Sequence, residues 1–158
     1  GKKFVFISTD KVVNFQNIMG ATKRVGELIV RNRGGIIVRF ANVLGSRGSV
    51  IPLWQKSIDK GEAINVTDPK MERYFMTIEQ AVELVIEAAT KAKPGQTYIL
   101  DMGKTVNILE LAKEVIKKSG KNVKIKIIGK RPGEVLRENL MTTEEQKVAI
   151  KKGNFWVI

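Results

Sequence analysis

Short apolar runs, each closed by polar or glycine residues, alternate along this chain with longer stretches in which apolar positions recur every three or four residues. Residues 4–7 (Phe-Val-Phe-Ile) and 36–40 (Ile-Ile-Val-Arg-Phe) are of the first kind. They read as strands of a parallel sheet, buried on both faces. Between them Val25, Leu28 and Ile29 recur at helical spacing within residues 18–33, and Gly34-Gly35 ends that helix. Strand, helix, strand with no hairpin signal is a βαβ unit, which makes the chain α/β with a parallel sheet.

Downstream the pattern continues in smaller pieces. Residues 45–49 form a loop, and 51–60 a short helix with Pro52 in its first turn. Residues 63–67 read as a short strand, Asp68-Pro69 as a turn, and 74–76 as extended chain. Thr77 with Gln80 three residues on is a capping box, and its helix runs to Lys91 before Pro94-Gly95 breaks it. Residues 97–101 form a strand. Asn107, with Glu110 three on, caps a helix over 108–119 that stops at Gly120. Residues 123–128 alternate with lysine as an edge strand does, and Thr142 or Thr143 opens a last short helix. No repeat or long linker interrupts the 158 residues.

Composition narrows the chemistry. The chain holds no cysteine and no histidine, which excludes disulfides, thiolate or imidazole metal sites and histidine acid–base catalysis. Proton transfer must then come from Asp, Glu, Lys or Tyr. No apolar stretch approaches the roughly 20 residues of a membrane span, and no signal peptide is visible. The net charge of +12 favours anionic partners, with lysines gathered between Lys117 and Lys152. No aromatic residue lies among those lysines, so a stacking platform for nucleic acid is not expected.

Several short motifs stand out. After the first strand come Ser8-Thr9-Asp10-Lys11, then Met19-Gly20-Ala21-Thr22-Lys23-Arg24, then Arg39-Phe40-Ala41-Asn42-Val43-Leu44-Gly45. Further on are Arg73-Tyr74-Phe75-Met76-Thr77, Leu100-Asp101-Met102-Gly103 and Arg131-Pro132-Gly133-Glu134. Taken singly, Ser-Thr-Asp after a strand is a cap or turn, Lys23 a surface lysine and Arg131-Pro132-Gly133-Glu134 a surface turn. In this order and spacing the motifs resemble the extended short-chain dehydrogenase/reductase superfamily. Within it they resemble the CapD-like UDP-N-acetylglucosamine 4,6-dehydratases of surface polysaccharide synthesis.

The resemblance implies oxidation of the sugar at C4, loss of the C5 proton and the C6 hydroxyl, and return of hydride to C6, with NAD or NADP as hydride carrier. It implies that Asp10 protonates the departing C6 hydroxyl, Lys11 is the base at C5, and Thr9 hydrogen-bonds the C4 oxygen. Lys23 would bind the nicotinamide ribose. Met19 stands where the superfamily carries its catalytic tyrosine, and a thioether has no proton to exchange. The base for the C4 hydroxyl then falls to Lys11 or Asp10. A lysine base requires a lowered pKa, by burial or a nearby cation. Arg73 and Arg131 would grip the UDP diphosphate, Asn42 would donate to a phosphate oxygen, and Glu134 would accept from the ribose. Val50, within residues 49–52, would flank the uracil. Arg39 reads as structural.

In the family's strand order, residues 4–7 and 36–40 are the fifth and sixth strands. The expected division is residues 1–48 as the end of the dinucleotide-binding domain and 49–158 as mainly a UDP-sugar-binding region. No G-x-G-x-x-G occurs in the sequence, so the chain is expected to begin after the cofactor's pyrophosphate site and not to dehydrate alone. The partners expected are a UDP-sugar and further copies of the chain, not nucleic acid or membrane. The setting expected is cytoplasmic, with the longer protein membrane-anchored in some members. A UDP-sugar 4-epimerase and a non-catalytic UDP-sugar-binding module are the alternatives. An epimerase has no C6 elimination to perform, which argues against it.

Overall fold

The structure, a computed structural model, describes residues 3–158. Its elements in order are β1 (Val5–Thr9), a single 3-10 turn (Asp10–Val12), α1 (Ile18–Asn32), β2 (Ile36–Phe40) and β3 (Asn42–Val43). There follow α2 (Val50–Asp59), β4 (Ile64–Val66), β5 (Glu72–Arg73), β6 (Phe75–Met76), α3 (Ile78–Lys91) and β7 (Thr97–Leu100). The chain ends with β8 (Val106–Asn107), α4 (Ile108–Ser119), β9 (Ile125–Ile127), α5 (Thr143–Val148), β10 (Ile150–Lys152) and β11 (Phe155–Val157).

The main sheet has the order β1-β2-β7-β11-β10. β1, β2 and β7 run parallel; β11 and β10 are antiparallel. The capping box at Thr77 and the Asn107 cap form as the sequence predicts, and Gly120 closes α4 at φ 69°.

The division expected at residue 48 is not one the sheet respects. Thr97–Leu100 returns to pair with β2, and Phe155–Val157 pairs with β7 beyond it, so the main sheet draws on both sides of that boundary. A second core does form beyond residue 48: Trp54, Ile58, Ile64 and Ala112 pack α2 and α4 against β4. The first core lies between α3 and the sheet, where Leu84, Ala88, Val38 and Tyr98 meet.

β1 departs from the expectation of burial on both faces. Phe4 is 62% exposed and Ile7 41%, because β2 is the one strand beside β1 among the described residues. In α1 the periodic positions Val25, Leu28 and Ile29 are exposed. The close approach to the sheet is made instead at Gly26, where a Cβ would lie 2.6 Å from the Phe6 ring. Among the described residues no helix is long and apolar enough to cross a membrane.

Candidate active site

β1 delivers the chain into the 3-10 turn, and this places Asp10 and Lys11 at the sheet's carboxyl edge, where ligands of open α/β folds bind. Thr9 caps the turn, its Oγ1 accepting from Lys11 N at 3.4 Å and donating to Asp10 Oδ1 at 3.0 Å. Lys11 Nζ then reaches three acceptors: Asp10 Oδ1 at 3.0 Å, Glu138 Oε1 at 3.0 Å and Asn42 Oδ1 at 3.4 Å. An ammonium has three hydrogens, and each is spoken for.

Glu138 is the residue that sequence reasoning missed. It follows the Arg131-Pro132-Gly133-Glu134 turn, and no spacing or motif marks it. In the fold it is buried and gathers Lys11, the Asn42 Nδ2 amide at 3.2 Å and Arg73 Nε at 3.5 Å.

These contacts set the protonation states. Burial pushes the Asp10 carboxyl up to about 7; Lys11 pulls against that and Glu138 adds to it. Burial alone would lower Lys11, but Asp10 and Glu138 outweigh it and raise its pKa above the ordinary lysine value. The lowered pKa required of a lysine base is therefore not found. Lys11 is an ammonium here, and Asp10 is the group poised near neutrality. Burial would also raise Glu138, but Lys11, a hydrogen bond from Asp10 and Arg73 together hold it below the usual glutamate range.

One cavity of about 690 Å³ opens beside this cluster. Of the candidate residues, Lys11, Asn42, Val50, Arg73, Arg131 and Glu134 line it. Thr9 and Asp10 sit behind Lys11 rather than on the cavity wall, and Met19 and Lys23 lie on α1 outside it. Met19 is 46% exposed. Lys23 Nζ donates to Ile7 O at 2.9 Å and lies 4.8 Å from the centre of the Phe6 ring. Val50 opens α2, whose Trp54 carries the same wall inward.

Two recognition residues are more committed than the sequence suggests. Asn42 Nδ2 already donates to Tyr74 O and Glu138, so its amide hydrogens serve the framework. Arg73 spends its Nη1 on Glu72 O and Leu136 O. Arg131, by contrast, is exposed, and its backbone N–H donates to Glu134 Oε2 at 2.9 Å, closing the turn. That turn is pinned to the start of α1: Asn17 Nδ2 donates to Gly133 O, and a Cβ at Gly133 would lie 2.7 Å from Gln16 O. Lys11 and the Arg131–Glu134 turn thus line one cavity.

Behind the site, α1 is locked to the sheet by charge. Arg39, fully buried, donates to Glu27 at 2.8 and 2.7 Å and to Glu145 at 2.7 Å from each of two nitrogens. Arg24 completes a neutral set of two cations and two anions. Arg39 is structural, as its strand position predicts.

The sequence profile described as "Polysaccharide biosynthesis protein" matches residues 1–158. The capsular polysaccharide biosynthesis protein CapD of Staphylococcus aureus is 49% identical over 153 residues, 90% of this chain but 26% of that protein. A UDP-glucose 4-epimerase of Rickettsia canadensis is 32% identical over 165 residues, covering 99% of this chain and 48% of the relative. The X-ray structure of Pen from Bacillus thuringiensis superposes with a TM-score of 0.93 at 39% identity, over 99% of this chain and 52% of that one. The chain thus spans about a quarter to a half of the length of these relatives.

Proposed function

The chain belongs to the polysaccharide biosynthesis protein family, and on that premise we propose that it forms the catalytic and substrate-binding part of a nucleotide-sugar 4,6-dehydratase acting on a UDP-N-acetylhexosamine. The observation that carries this reading is the buried Asp10–Lys11–Glu138 cluster with Lys11 on the wall of a cavity that also holds Arg73 and Arg131. A sugar diphosphate needs a cationic cleft of this size. An elimination needs a carboxylic acid still protonated near neutral pH, and Asp10 is such a group.

In this reading Arg131, with its exposed guanidinium, takes the diphosphate, and Arg73 supports it through Nη2, since Nη1 is spent on backbone carbonyls and Nε faces Glu138. Glu134 and the start of α2 at Val50 take the ribose and base. Asp10 gives its proton to the departing C6 oxygen. Lys11 serves at C5 only after releasing a proton, and the Glu138 carboxylate, 3.0 Å from its Nζ, is the base placed to take it. NAD would supply the hydride-transfer chemistry, with Lys23 as the residue that would hold its nicotinamide ribose. Lys23 fits the nicotinamide ribose, because Ile7 O uses one of its three donors and two remain. A cytoplasmic setting, where nucleotide sugars are assembled, belongs to the same proposal.

The second reading is a 4-epimerase, favoured by the similarity to the Rickettsia enzyme. Calorimetric titration tests the part common to both: UDP should bind this chain more tightly than uridine. Equal affinity, or none, would remove the diphosphate site on which both depend.

A further inference from the structure

Asp10 Oδ1 has two donors, Thr9 Oγ1 and Lys11 Nζ, whereas Oδ2 is buried and meets no donor at all. An ionised carboxylate with one oxygen stranded in the interior is costly. Glu138 is the neighbouring carboxylate: Lys11 Nζ lies 3.0 Å from Asp10 Oδ1 and 3.0 Å from Glu138 Oε1, so one ammonium spans both groups. Two buried carboxylates sharing one ammonium are poorly placed to stay ionised together, so one proton on the pair is the stable arrangement.

The surroundings decide which oxygen carries it. Glu138 faces two cations, Lys11 and Arg73, and an amide donor from Asn42. Asp10 faces one cation, Lys11, and is more deeply buried. From the packed elements around them, Lys23 on α1 is tied to Ile7 O, and Glu27 to Arg39, so neither changes the count. The proton therefore rests on Asp10, at the Oδ2 that meets no donor.

We propose that Glu138 is a positioning residue of the site: its carboxylate accepts a hydrogen bond from protonated Asp10 across the Lys11 ammonium, and so keeps Asp10 in the acid form needed to protonate a departing hydroxyl. The shared Lys11 ammonium and the stranded Oδ2 are what carry the pair; its use in elimination rests on the dehydratase reading above. Glu138 lies 127 positions from Lys11 in sequence, and it is not among the residues that line the cavity.

The test is a carboxyl carbon-13 NMR titration of this chain, which needs neither cofactor nor substrate. In the unsubstituted chain one carboxyl titrates near neutrality and is absent from Asp10→Asn. In Glu138→Gln the same titration falls by about one pH unit or more, because the anion that favoured the proton is gone. Glu138→Asp keeps the charge but draws it back, and moves the titration part of the way; it also decides the matter should Glu138→Gln fail to fold. An Asp10 titration unmoved by both substitutions, or at an ordinary carboxylate value from the outset, would overturn the proposal. Because no turnover is involved, a failed dehydration assay leaves this result standing. Where turnover is measured, Glu138→Gln should move the alkaline limb of kcat to lower pH with KM little changed, which a merely structural defect would not do.

Discussion

Gly20 on α1 lies directly against Lys11: a Cβ built at Gly20 would collide with the Lys11 carbonyl oxygen and come within 2.8 Å of Phe15 Cβ. The helix can approach the 3-10 turn that carries Asp10 and Lys11 only because this position has no side chain. Gly20→Ala should therefore destabilise the fold by about 1–3 kcal/mol, as overpacking does. It should also displace Lys11 from its acceptors. Thermal unfolding and the NMR titration of Asp10 check the two effects, and a variant with unchanged midpoint and unchanged Asp10 would refute this contact's role.

The Arg39 set predicts the acid limb of stability. Burial would raise Glu145, but Arg39, the Thr142 N–H and Arg24 hold its carboxyl at about 2, below its unfolded value of 4.5. A depressed acid stabilises above its unfolded pKa and loses that contribution as pH falls toward its folded one. Unfolding midpoints should fall between pH 4.5 and about 2, and Glu145→Gln should flatten that slope. Asp10 has the opposite sign. Its folded pKa of about 7 exceeds the unfolded 3.8, so its ionisation opposes folding increasingly as pH rises to 7. Asp10→Asn should raise the midpoint more at pH 8 than at pH 5. Arg39→Leu strands two buried carboxylates and should cost about 3–5 kcal/mol.

How much of this was legible in the sequence varies with the range of the interaction. Caps at Thr77 and Asn107 and the glycine stop at Gly120 are local, and each formed as the sequence predicts. Asp10 and Lys11 are adjacent, so their juxtaposition could be expected; their burial and charge states could not, because Glu138 and Arg73 arrive from distant segments. β10 and β11 were not expected. Yet Gly153-Asn154 between two short runs is a two-residue hairpin signal that could have found them. The apolar run of residues 4–7 correctly marks a strand. It does not reveal the exposure, which depends on what lies beside β1.

Recognition by charge has its own expected magnitude. Arg131 is exposed on the cavity rim with its guanidinium unbound by the turn that its backbone closes. Arg131→Ala should weaken UDP binding by about 1.5–3 kcal/mol while leaving uridine affinity nearly unchanged. Calorimetry that finds both ligands equally affected would remove the diphosphate role.

The open flank of β1 predicts association of this chain. Phe4 and Ile7 are exposed beside an edge that no strand covers among the described residues, and Val25 and Ile29 add apolar surface on α1. Such an edge recruits another strand. Light scattering at micromolar concentration should show a species larger than the monomer. Phe4→Lys should abolish it if strands pair, and Ile29→Lys if helices do. A clean monomer with β1 amides exchanging freely would contradict the expectation.

Elimination across C5 and C6 is the central claim, and the product's C6 reports it most directly. Residues 1–158 joined to a glycine-rich dinucleotide-binding unit should be given UDP-N-acetylglucosamine and NAD in deuterated water, and the sugar followed by NMR. The account predicts a 4-keto-6-deoxy sugar carrying solvent deuterium at C5, and its loss in Asp10→Asn with UDP binding retained. A sugar recovered with its C6 hydroxyl intact, inverted only at C4, or undiminished dehydration by Asp10→Asn, would contradict it.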